Sequence, residues 1–196
     1  MPGTRGLPFG RPPGQPPQNQ FLDGRSRAAP EEIDEWVSCV NPYLFGDTST
    51  LVANRLSFMV VPQLMRDVRV DTVRIRVNTA AAGTHAAVAV YARDGDNLRL
   101  ISGSEVNFST IATGVLERVL PASLVLRKDA RYYMAFRADN ATPSFSAFSG
   151  GSNGMWDRLY TSWTSSALPK LVARKDLLVQ QGQLTGVVYY AAGVIQ

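Results

Sequence analysis

One cysteine and one histidine stand in a chain of 196 residues. Cys39 alone cannot close an intrachain disulfide, so the fold has to stand on packing. His85 is the only imidazole open to a Ser–His–Asp triad, and no GxSxG elbow accompanies it. A zinc site drawn from one His and one Cys would need two carboxylates besides. No run of 18 apolar residues occurs, so no membrane-spanning helix is expected. The opening MPGTRGLPFGRPPGQPP lacks the unbroken apolar stretch of a secretory signal. Neither a GxGxxG nor a Walker-type loop is present to cradle a phosphate. This inventory points away from an enzyme and calls for no metal or cofactor.

Lysine is also scarce, with 3 against 17 arginines. The net charge of +4 divides unevenly along the chain. Residues 1–30 carry Arg5, Arg11, Arg25 and Arg27 against Asp23, a net of +3, and the remainder carries 16 bases and 15 acids, a net of +1. A nucleic-acid reader concentrates positive charge on its folded face, so a basic tail on a nearly neutral body argues against nucleic acid as partner.

What is abundant is apolar residues, 45% of the chain, arranged in changing patterns. Residues 1–30 hold seven of the twelve prolines and five of the sixteen glycines, which leaves them little means of forming helix or sheet. They are expected to form an extended arm. Phe9, Phe21 and Leu22 supply apolar points of contact, and Arg11 and Arg25 charged ones, for anchoring it on a partner. In APEEIDEWVSCVNP, Ile33, Trp36, Val37 and Val40 fall at i, i+3, i+4 and i+7, which predicts a short helix over about 30–40 with Pro30 in its first turn. The segment 31–49 then reads as helix and connector.

From about residue 50 the period becomes two. Val73, Ile75 and Val77 alternate with Thr72, Arg74 and Arg76, and Val88 and Val90 oppose Ala89 and Tyr91. DGDN at 94–97 is turn chemistry that makes 86–102 a hairpin. Further strands are expected at 104–108, 115–120, 131–138, 144–148, 158–163 and 184–190, while PKLVARKDLLVQQG suits a short helix or a strand equally. Short strands with turns every few residues predict an all-β, antiparallel β-sandwich over 50–196. Met134 and Phe136 join the valines and Ile75 as expected core.

The carboxylates of this region (Asp94, Asp96, Glu105, Glu117, Asp129, Asp139, Asp157 and Asp176) lie mostly beside turn residues, where an oxygen serves the local backbone. They do not announce the opposed pair of a glycosidase. The least ordinary stretch is FSGGSNGMWDRLYTSWTSS at 148–166. A glycine-rich connection precedes Trp156, Tyr160 and Trp163, rings suited either to core packing or to contact with a protein or glycan. On a strand, Trp156 and Tyr160 share a face and Trp163 takes the other.

The run NRLSFMVVPQLMRDVRVDTVRIRVNTAAAGTHAAVAVYARDGDNLRLISGSEVNF, followed by LVLRKDARYYMAFRAD, resembles a module of tailed-bacteriophage virion proteins. It covers residues 50–140, a little under half the chain. The resemblance implies a jelly-roll-like sandwich of the tail-fibre, tail-associated or capsid-decoration kind, located in the virion. It implies capsid or tail proteins as partners, a homo-oligomer with a trimer favoured, and no catalytic residues. The alternative is a carbohydrate-binding adhesin that recognises a host glycan through Trp156, Tyr160 and Trp163.

Overall fold

The computed structural model describes residues 36–39, 46–50, 52–148, 157–181 and 184–190. These residues form two antiparallel sheets packed as a sandwich. The first sheet contains β1 (Trp36–Val37), β2 (Asp47–Thr50), β4 (Val68–Thr79), β8 (Gly114–Leu126), β10 (Ser144–Phe148), β14 (Leu184–Thr185) and β15 (Val187–Tyr190). The second contains β3 (Arg55–Val60), β5 (His85–Asp94), β6 (Asn97–Leu100), β7 (Val106–Ser109), β9 (Tyr132–Ala138), β11 (Asp157–Ser162), β12 (Leu171–Ala173) and β13 (Leu178–Gln181). Among the described residues a single 3-10 turn, Arg174–Asp176, is the only helical element. It lies in the stretch whose period leaves helix and strand undecided.

The long strand β4 organises the first sheet. It pairs with β8 along one side and with β15 and β10 on the other. A register shift between Val70 and Thr72 leaves extra residues of β8, including Pro121, outside the regular pairing. Proline donates no hydrogen bond and is tolerated at such an interruption. In the second sheet β9 and β5 are central, and β5 turns into β6 through Gly95-Asp96. Gly95 has φ of 57°, the left-handed value that a two-residue hairpin loop requires at its first position.

Alternation sets the core between the sheets. Val73, Ile75, Val77, Val88, Val90, Met134 and Phe136 all lie in it, as their period predicts. The opposite face of the second sheet is not wet. Leu56, Phe58, Ala87, Ala89, Tyr91, Tyr133 and Ala135 form a second core there, covered by Leu168, Val172 and Leu177. The chain from Trp163 to Lys170 thus runs as a strap over the sheet's outer face before Leu171–Ala173 joins the sheet as β12 beside β6, and every residue of β9 is buried.

The helix expected over about 30–40 is not what forms at its described end. Trp36 and Val37 are strand, paired to Tyr190 and Tyr189, and Cys39 is buried beside them in the inter-sheet core. Apolar residues at i, i+1 and i+3 satisfy a twisted edge strand as well as a helix, and β15 offers the backbone partners that decide between them. The sheet accordingly takes in 36–37 and 47–50, ahead of the expected start of the sandwich at residue 50.

Two buried phenols predict the response to alkali. Tyr91 and Tyr189 donate their hydroxyls to the carbonyls of Pro169 at 2.6 Å and Ser104 at 2.8 Å. Burial, reinforced by Glu105, pushes both pKa values above the ordinary phenol value. Because the folded-state values are raised, this stability is complete below the unfolded pKa and is lost as pH rises toward the folded ones. Stability is expected to hold to about pH 10 and then fall by up to about 1.4 kcal/mol per pH unit for each tyrosine. Urea midpoints measured across that range check it, and Tyr189→Phe should remove part of the fall.

Candidate functional site

Of the residues singled out in the sequence, Phe9, Arg11, Phe21, Leu22, Arg25 and Trp156 lie outside the described residues, as does the glycine-rich connection before Trp156. Tyr160 and Trp163 are both half-buried and point to opposite faces, as a strand dictates. Tyr160 lies under the Arg55 guanidinium, 4.2 Å from the ring centroid. Trp163 packs on the outer core with Leu159. Its indole donates from Nε1 to the Ala167 carbonyl at 2.8 Å and closes the first turn of the strap. Neither ring is a free platform. Trp163 shapes the strap.

Among the described residues, two sheet edges and a cleft bring together groups that could meet a partner. Among the described residues β8 is hydrogen-bonded only to β4, and β13 only to β11, so each sheet ends in an open edge. Both edges carry exposed apolar residues, and on β8 these alternate with the charges of Glu117 and Arg118. Val115 and Val119 of β8 are exposed (Val119 to 68%), and Leu178 and Val179 of β13 are exposed on both sides of their strand. Between the two β8 valines, Glu117 accepts hydrogen bonds from Arg74 Nε and from the Tyr190 hydroxyl, and the Arg74 guanidinium stacks on the Tyr190 ring at 4.1 Å. The carboxylate is therefore matched where it stands. A partner covering this face would meet a compensated pair instead of a bare charge.

The cleft lies over the end of β5. Register places Arg137, Ala87 and Asn107 side by side across β9, β5 and β7, with Asp139, His85 and Ser109 flanking them one pleat away. The methyl of Ala87 between two longer side chains leaves a hollow of about 450 Å³. Thr164, Ser166 and Ala167 of the strap form its far wall. Arg137, 7% exposed, holds that wall through the Trp163 and Thr164 carbonyls at 3.1 and 3.5 Å, and it also reaches Asn54 Oδ1 at 3.1 Å. Glu105 Oε1 accepts the Leu168 amide at 3.2 Å. His85 gives its amide to Asp139 Oδ1 at 2.9 Å, with Nδ1 3.4 Å from Oδ2.

No family model matches this sequence, and no curated protein is significantly similar to it. Nothing in the sequence joins His85, Glu105 and Asp139. Their meeting depends on register between strands and on where the strap crosses. The one local signal is alanine at 87, 89 and 135, which marks a face overlaid by something else.

Proposed function

We propose that this chain is a non-enzymatic structural subunit of a tailed-phage particle. In this reading the β-sandwich is attached to capsid or tail through residues 1–30 and is located in the virion. It assembles with copies of itself, a trimer being the favoured order. The observation that carries the reading is the pair of sheet edges, open among the described residues, that expose apolar side chains. An exposed edge strand is a template for pairing, and proteins that remain single blunt such edges with charge or cover them. Here Val115, Val119, Leu178 and Val179 stand exposed on strands that, among the described residues, have a neighbour on one side only. The resemblance over 50–140 to virion modules points the same way. Host glycan recognition is the second reading, favoured by the polar cleft.

Attachment is tested by removing residues 1–30. The first described strand is Trp36–Val37, beyond the deletion, so the truncated chain is expected to keep its far-ultraviolet spectrum and melting temperature while losing incorporation into particles. Incorporation at the level of the full chain would overturn the attachment.

A further inference from the structure

We propose that the cleft over β5 binds a neutral saccharide, one or two sugar units of a glycan, at a site separate from the open edges. The hollow is built in by the sequence. Alanine at 87 holds the floor down between Arg137 and Asn107. The opposite wall is fixed by three tethers, from Arg137 to the Trp163 carbonyl, from the Trp163 indole to Ala167, and from the Leu168 amide to Glu105. Floor and wall are thus set before any ligand arrives, which lowers the ordering cost of binding. A volume of about 450 Å³ lies within the range of small-ligand sites.

The chemistry of the lining selects the ligand class. The Asn107 amide and the Thr164 and Ser166 hydroxyls line the cleft, are exposed, and make no side-chain hydrogen bond to any described residue. His85 Nε2 and Glu105 Oε2 are likewise left over after the bonds already named. Donors and acceptors are therefore mixed and closely spaced. Sugar hydroxyls, each able to donate and accept, match such a set. An anion would face the carboxylates of Glu105 and Asp139, while the one arginine of the lining, Arg137, is engaged by Asn54 and the strap carbonyls. An apolar ligand would find no aromatic or branched aliphatic wall among the lining residues. Among the described residues no three His, Cys, Asp or Glu side chains gather to hold a metal.

The site differs from the one that the aromatic stretch suggests. Trp163 contributes by closing the strap turn and Tyr160 does not line the cleft.

The test uses the full chain against an array of neutral and acidic glycans, followed by titration of neutral mono- and disaccharides with saturation-transfer NMR. Binding of a neutral saccharide is expected. Asn107→Ala should weaken it tenfold or more without moving the melting temperature, because that amide bonds to nothing in the fold. Glu105→Gln, which keeps the acceptor for the Leu168 amide, should weaken binding while preserving the strap. Absence of any neutral saccharide binding overturns the proposal. So does exclusive binding of acidic sugars, or neutral binding that Asn107→Ala leaves unchanged.

Discussion

Phe136→Ala is expected to cost about 3–5 kcal/mol of stability, the largest effect of any single truncation considered. Phe136 is fully buried on β9, the strand that is buried along its whole length. Its ring meets Phe145 of the other sheet edge to face, with centroids 4.8 Å apart and planes at 70°. The loss therefore combines transfer of the ring, the cavity left behind and an aromatic contact that ties the two layers together. A stability of about 5–15 kcal/mol is usual for a folded domain, so the variant should retain only a modest margin. Denaturant titration reads the change as a lower midpoint with an unchanged slope. A loss below about 1 kcal/mol would place Phe136 outside the core and contradict the sandwich packing.

Arg137→Ala is the second large effect, expected at roughly 2–4 kcal/mol from the buried charged hydrogen bonds it removes. The side chain is a buried guanidinium that holds two carbonyls of the strap and the side chain of Asn54. Its loss strands the Trp163 carbonyl and loosens the wall over Ala87. Arg137→Lys should rescue little, since an ammonium cannot reproduce a planar fork reaching several acceptors at once. Hydrogen exchange gives a readout that distinguishes this from general destabilisation. The amides of Trp163 and Leu168, bonded to the Asn54 carbonyl and Glu105, should lose protection before those of β9. Uniform loss across both regions would mean that Arg137 does not pin the strap.

Strand periodicity was the most legible property of the sequence. β10 spans the expected 144–148, and Val73, Ile75 and Val77 all turn to the core because an alternating strand has one buried face. The same rule fell short on the second sheet. Tyr133 and Ala135 alternate with the expected core residues Met134 and Phe136, yet they too are buried, in a second core completed by Leu168, Val172 and Leu177 from a stretch with no decisive period. Trp36 and Val37 misled for another reason. Their spacing fits a helix, and only the distant β15 makes them strand. The cleft was hidden more deeply still. Asn107 and Thr164 come together through strand register and a crossing chain, which no local pattern encodes.

Counting this chain in purified particles tests its role most directly. Particles made by cells that carry its gene should be banded by density, washed in high salt and quantified by mass spectrometry against their major capsid protein. A constant ratio across preparations, retained through the wash, is the predicted result. A chain abundant in the lysate and missing from washed particles would contradict the structural role.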